Sequence, residues 1–234
     1  MPVDIRVVNP DLSEAVLPAA FEIETPDPFL PDVVALLSFD GDLSDFTSKT
    51  WTAFNSAATT TSQFRFGTHS LRTTKGSSAQ YIEGPTSSDW AFGTDDFTAE
   101  CWIRMETAPT VFFHSPFGNW VSGTGWCFFI DTQARIRFHL LDQSVAGGTV
   151  PVGQWAHIAA ARESGVLRLF LDGSLVNSAT RTQNLTQTAA VRIGQNRAGN
   201  NDGFPGWIDE LRVTKGVARY TAAFTPPDSP FPRV

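Results

Sequence analysis

Asp209 and Glu210 stand side by side in "GWIDELRVTKGVARYTAAFTPP" (206–227), an apolar, strand-like run followed by a basic, Gly-containing tail. Adjacent carboxylates suit a general acid–base pair, a hard-cation site or ordinary strand positions. Glycosidic cleavage with retention needs two carboxyl groups about 5–5.5 Å apart, which a strand supplies from alternate residues on one face. Consecutive residues such as Asp209 and Glu210 point to opposite faces. In "AECWIRME", Glu100 and Glu106 share a face but lie about 20 Å apart along a strand. Neither spacing makes a catalytic pair. The chain also lacks G-x-S-x-G, H-E-x-x-H and a phosphate-cradling Gly loop. His69, His114, His139 and His157 sit in strand-like runs without an acid or nucleophile motif beside them. The expectation is a protein that is not an enzyme.

The elements that must position these side chains read as strands. From Val33 onwards, short apolar runs alternate with turn residues: "VVALLSF" before "DGD", "DFTAECWIRM" before "TAPT", then "GWCFFID", "ARIRFHLLD", "QWAHIAAAR", "GVLRLFLDG", "AAVRIG" and "GWIDELRV". Such spacing signals an all-β sandwich or barrel of antiparallel strands. In "VLRLFLDG", Leu167, Leu169 and Leu171 share a face and Asp172-Gly173 supplies a tight hairpin turn. Trp155 and His157 open a strand expected to pair with Leu167–Leu171 across "ESG". The one helical expectation is a single turn in "VARYTAAF". Nineteen Phe and seven Trp against two Tyr fit sheet better than helix.

Residues 1–32 differ in kind. They hold six of the fifteen prolines, several acids and no hairpin pattern, and they read as an extended Pro-rich arm preceding a domain over 33–234. Ile5, Val7, Leu12, Val16, Phe21, Ile23 and Phe29 are spaced through the arm as candidate partner contacts. The formal charge of -7, with no basic run longer than two residues, argues against nucleic acid, which is held by clustered Lys and Arg. No apolar stretch approaches the ~20 residues of a membrane-spanning helix, and the first residues carry no signal-peptide pattern. The expected partners therefore include neither nucleic acid nor membrane. Cys101 and Cys127 lie in apolar runs and are expected to be buried free thiols, as in a reducing cytoplasm.

Several runs, in order, resemble the laminin G-like branch of the concanavalin A-like jelly rolls: "LLSFDG" (36–41), "HSLRTTKGSSAQYI" (69–82), "DFTAECWIR" (96–104), "GQWAHIAAARESGVLRLFLDG" (153–173), "VRIGQ" (191–195) and "GWIDELRV" (206–213). The resemblance implies a two-sheet antiparallel jelly-roll sandwich. Laminarinase-like enzymes share that architecture, but the carboxylate spacings do not match theirs. Many such domains hold Ca²⁺ at the rim, and the candidate ligands are Asp95, Asp96, Asn196, Asn200, Asn201 and Asp202, with Asp40 and Asp42. Turn chemistry explains these residues more simply, and no cofactor is expected apart from that ion. Glycan stacking falls to Phe117 and Trp120 in "FGNW" and to Phe204 and Trp207 in "NNDGFPGW", although Trp120 and Trp207 fit the core better.

The closing "TKGVARYTAAFTPP" resembles the ending of such domains in bacteriophage structural proteins. That likeness implies a virion protein of a tailed phage, assembled in the host cytoplasm. Its expected role is capsid decoration, with residues 1–32 attaching it, oligomeric on the particle, to other capsid or tail proteins. The alternative is a carbohydrate- or receptor-binding part of a tail fibre or spike, facing a host-surface glycan. In strand 206–213, strict alternation puts Trp207, Asp209, Leu211 and Val213 on one face and Ile208, Glu210 and Arg212 on the other. Asp209 is then expected to anchor a loop through backbone N–H groups, because a charge on an apolar face needs partners. Glu210 and Arg212 are expected to pair.

Overall fold

A computed structural model of the protein describes residues 5–8, 14–17, 26–196 and 202–234. The chain divides into two compact units, Met1–Leu30 with Pro232–Val234, and Pro31–Phe231. In the first unit, β1 (Ile5–Val8) and β2 (Glu14–Leu17) pair antiparallel, with Ile5 opposite Leu17 and Val8 opposite Glu14. These two short strands pair within the stretch that the sequence reading takes as an extended Pro-rich arm without a hairpin pattern.

The second unit is nearly all strand. Its elements are β3 (Val33–Leu37), β4 (Thr52–Phe54), β5 (Ala58–Thr60), β6 (Ser70–Thr73), β7 (Tyr81–Glu83), β8 (Phe97–Met105) and β9 (Phe117–Gly118). They continue as β10 (Trp126–Ile130), β11 (Ile136–Leu140), β12 (Gln143–Gly147), β13 (Trp155–Glu163), β14 (Val166–Leu171), β15 (Ser174–Thr180), β16 (Arg192–Ile193) and β17 (Gly206–Lys215). One sheet runs β12-β11-β10-β9-β16-β7-β4 and the other β15-β14-β13-β8-β17-β6-β5, with β3 also on β17. Among the described residues, helix is confined to the 3-10 turns Leu30–Asp32 and Ser88–Trp90, so the turn expected in "VARYTAAF" is absent. No helix there is long and apolar enough to cross a membrane.

The two sheets bury a common core because their strands alternate. Phe97, Ala99, Cys101, Ile103 and Met105 of β8 point inward with Ala156, Ile158 and Ala160 of β13. They meet Trp126, Phe128 and Ile130 of β10 and Phe138 and Leu140 of β11. The side chains between these positions on β8 and β13 line the outer face of the larger sheet. Asp172 (φ 48°) and Gly173 (φ 72°) close the β14–β15 hairpin, both left-handed as a two-residue type I′ turn requires.

β17 departs from simple alternation. Asp209 is opposite Trp102 but Arg212 is opposite Glu100, so one extra residue bulges out between them. Glu210, in the left-handed region with φ 46°, absorbs it. Ile208, Leu211 and Val213 all enter the core, which the bulge alone makes compatible with a strand. Trp207 and Asp209 therefore lie on the outer face, against the expectation that they share a face with Leu211 and Val213. The two halves of β17 also have different neighbours: Gly206–Ile208 pair with β6, and Leu211–Thr214 pair with β3.

The closing segment from Gly216 to Phe231 is a strap over part of this outer face. Its Ala218, Tyr220 and Phe224 pack on Ala159, Ala161 and Phe170, and Tyr220 stacks on Phe224 at 3.6 Å. Thr98 Oγ1 donates to the Val217 carbonyl (2.9 Å) and accepts from Arg219 N–H (2.8 Å). Phe224 N–H donates to the Gly173 carbonyl at 2.9 Å.

Candidate functional site

The outer face of the larger sheet carries four lateral rows set by strand register. Under the strap, Thr214, Thr98 and Ala161 form one row, and Arg212, Glu100, Ala159 and Phe170 the next. Asp209, Trp102 and His157 form a third. Arg72, Trp207, Arg104 and Trp155 form the fourth, across β6, β17, β8 and β13.

The acids of the covered rows hold the fold together. Glu100 is fully buried, with Oε1 2.8 Å from Arg212 Nε and Oε2 accepting from Tyr220 Oη at 2.8 Å. His157 Nε2 lies 3.2 Å from Oε2. Burial alone would raise this carboxyl, but Arg212, His157 and Arg219 outweigh it and hold Glu100 at about 2. Asp209 is also fully buried. Its Oδ2 accepts the backbone N–H groups of Arg65 (2.7 Å) and Phe66 (3.2 Å), and its Oδ1 accepts that of Glu210 (2.9 Å). Burial pushes Asp209 up to about 6 against the pull of those three donors. Glu210 Oε2 accepts Phe231 N–H at 2.9 Å, and Arg212 lies 3.9 Å from the Phe231 ring.

Asp95 and Asp96 precede β8, whereas Asp202 lies near its far end, where Ser115 N–H donates to the Asp202 carbonyl. Nine strand residues, about 30 Å, separate the two groups, so they cannot share a calcium ion. The carbonyls of Gly93, Asp95 and Gln183 are instead bound by the buried Arg162 guanidinium at 2.6–3.0 Å. Asp40 accepts from Thr68 N–H and Oγ1, and Asp42 from Ser44 N–H. Asn200 and Asn201 lie outside the described residues. Among the described residues, no three His, Cys, Asp or Glu come together as a metal cluster. Burial lowers His114 and His139 to about 4, aided by Lys75 and Arg137 respectively; both are neutral at pH 7.

The aromatic candidates separate. Phe117 and Phe204 are fully buried in the core, and no sugar can reach them; this corrects the rim-loop reading. Phe117 belongs to β9 inside the smaller sheet, and Phe204 packs between the sheets. Trp120 is half-buried, its indole bonded to the Leu141 carbonyl and its ring against Phe129 and His139. Trp207 is half-buried in the fourth row. Of the arm residues, Ile5, Val7 and Val16 fall in β1 and β2, Phe29 is 37% exposed, and Leu12, Phe21 and Ile23 lie outside the described residues.

The fourth row is the part of this face that combines exposure with binding chemistry. Arg72 and Arg104 lie 4.3 and 5.3 Å from the Trp207 ring centroid. Trp207 Nε1 donates to Ser62 Oγ (3.0 Å), and Arg72 pairs with Glu106 at 2.6 Å. Beside the row, Arg65 lies 4.2 Å from the ring centroid of the nearly buried Trp102. Arg65 and Phe66 belong to the loop whose backbone Asp209 binds, so the buried carboxylate positions the rim of the row. Arg104 and Trp155 are half-buried, and neither side chain makes a hydrogen bond or ion pair with a described residue. The sequence reading missed Arg72, Arg104 and Trp155 as site residues, although "WIR", "WAH" and "WID" each put a polar residue two places after a Trp, on the same face of a strand.

A family model of the concanavalin A-like lectin/glucanases superfamily matches residues 75–219, more than half the chain. No curated protein sequence matches. Among solved structures, the fold is similar to that of botulinum neurotoxin type C, which depends on interaction with two ganglioside molecules to enter cells (TM-score 0.64, 11% identity, 81% of this chain and 49% of that one). It is similar to the binding domain of Paraclostridial Mosquitocidal Protein 1 (0.64, 12%, 81% and 50%). It is similar, too, to the binding domain of botulinum neurotoxin DC in complex with rat synaptotagmin II (0.63, 11%, 81% and 49%). The chain spans about half the length of each, and at these identities the likeness is one of fold. On the family match and the sandwich together, this chain belongs to the concanavalin A-like lectin/glucanase superfamily.

Proposed function

We propose that this protein is a non-enzymatic, lectin-like binding module whose contact surface is the row Arg72–Trp207–Arg104–Trp155. The observation that carries the reading is the contrast on one sheet face. The buried carboxylates are engaged by backbone and cationic partners, while the half-buried Arg104 and Trp155 side chains have no hydrogen-bond or ion-pair partner among the described residues. Indole rings and guanidinium groups at an open surface are the groups that bind saccharide and receptor surfaces with few ordering costs. Solved neighbours that interact with gangliosides or a protein receptor support the same class. The reading needs no metal or cofactor.

Binding to a panel of immobilised oligosaccharides tests it. Retained protein, with signal lost in Trp155→Ala and unchanged in Phe46→Ser, an exposed residue outside the row, is the expected result. Silence across the panel, or binding indifferent to Trp155, overturns it.

A second reading places this module on a virus particle, with residues 1–32 as the attachment and several copies assembled in the host cytoplasm onto capsid or tail proteins. One observation favours it: Met1–Leu30, with Pro232–Val234, forms a compact unit of its own. The decoration role and the tail-fibre role differ in location, and electron microscopy of gold-labelled protein on particles distinguishes them. Absence from every particle rejects both.

A further inference from the structure

We infer that Arg104 and Trp155 form a subsite for a carboxylate-bearing sugar residue, an inference that rests on the lectin-like reading and narrows its ligand class. The two residues are directly opposite on β8 and β13. Side chains so placed start about 5 Å apart, close to the width of a pyranose ring. The Arg104 guanidinium leans to the Trp207 side, 5.3 Å from that ring centroid, and no described aromatic or cationic group packs on Trp155. A half-buried indole without an aromatic or cationic partner thus stands beside one guanidinium fork.

A sugar ring laid on the Trp155 indole would present its C–H face to the π-system and its carboxylate to Arg104. The planar fork of arginine matches a carboxylate in two parallel hydrogen bonds. Arg104 has room for that ligand because the nearby acid, Glu106, is engaged by Arg72 at 2.6 Å. Trp207 holds the guanidinium group without neutralising it, since cation–π contact satisfies position but leaves the N–H donors free. The Val152 side chain, 49% exposed, and the exposed Gln154 flank Trp155 on the approaching loop. The chain as a whole carries -7, so an acidic ligand is repelled elsewhere and meets a cationic strip formed by Arg65, Arg72 and Arg104.

Titration calorimetry of the full chain with four probes tests the inference: oligosaccharides ending in glucuronate, in N-acetylneuraminate, in 3-O-sulfogalactose and in neutral galactose. Binding of at least one carboxylated probe is expected, at least about tenfold tighter than the neutral one, the strength of a hydrogen bond to a charged group. That binding should weaken with added salt. Arg104→Ala should remove the preference, Arg104→Lys should restore only part of it, and Trp155→Phe should weaken all probes together. Unfolding midpoints matched to the parent protein exclude misfolding, and the Lys and Phe variants serve where the Ala variant does not fold. Equal binding of the neutral probe with no effect of Arg104→Ala overturns this inference and leaves the lectin-like reading standing. Preference for the sulfated probe overturns the carboxylate assignment. No binding of any probe overturns both.

Discussion

Replacing Arg212 by Leu removes the principal cation facing a fully buried carboxylate. A carboxyl held at about 2 against an ordinary value of 4.5 corresponds to about 3 kcal/mol of stability at neutral pH. Stranding a buried charge costs roughly 3–5 kcal/mol. For a domain of this size either figure lowers the melting temperature by about 10 °C. The pH dependence carries the sharper test. In the parent protein Glu100 is depressed, so its contribution is complete above 4.5 and is lost as pH falls from 4.5 towards 2. Without Arg212, burial dominates and Glu100 rises above its ordinary value; the variant then gains stability as pH falls through that raised value. Asp209, raised to about 6 by burial, also adds stability as pH falls through 6, but it does so in both proteins and cancels in the difference. Urea unfolding at pH 7, 5.5 and 4 should show a gap of about 3 kcal/mol that narrows steadily with acidification. Arg212→Leu combined with Glu100→Gln should recover part of the loss at pH 7. A gap below about 1 kcal/mol at pH 7, or one constant down to pH 4, would refute the account of Glu100 as a charge held by Arg212.

Asp209→Ala leaves three backbone N–H groups without their acceptor and should cost about 2–4 kcal/mol, read as a lower thermal midpoint together with faster proteolysis between Gln63 and Gly67. An unchanged midpoint refutes its anchoring role. At Gly173, a Cβ would fall 1.9 Å from the Phe224 carbonyl oxygen at φ 72°, so Gly173→Ala should loosen the strap and speed hydrogen exchange at Phe224 N–H. Cys101 and Cys127 are buried free thiols whose ionisation burial pushes well up. Ellman's reagent should therefore react with neither until the protein is unfolded; rapid reaction in native buffer counts against that placement.

The sandwich was readable from its strands. Phe97, Ala99, Cys101, Ile103 and Met105 alternate cleanly, and Asp172-Gly173 names its own turn. The bulge in β17 was not readable, because the residue in the left-handed conformation is Glu210 rather than a glycine, and strict alternation then misplaces Trp207 and Asp209. Phe117 and Phe204 sit beside turn residues and look exposed; only tertiary packing reveals that they fill the core. The row Arg72–Trp207–Arg104–Trp155 joins residues from four strands far apart in sequence, so its members become neighbours through register alone. The tail from Gly216 resembled a family ending, and the structure gives it a physical task, that of covering Glu100, His157 and Phe170.

The position of β17 bears on how the chain reaches this state. It follows all of its sheet partners in the chain, yet it lies inside the larger sheet, between β8 on one side and β6 and β3 on the other. Until Gly206–Lys215 has left the ribosome, three strand edges wait unpaired. Closing loops of such length is slow, and open edges invite association with other chains. Assembly of the larger sheet therefore waits for residues 206–215. A truncation just before Gly206 would remove not a fringe but the strand that joins its two halves.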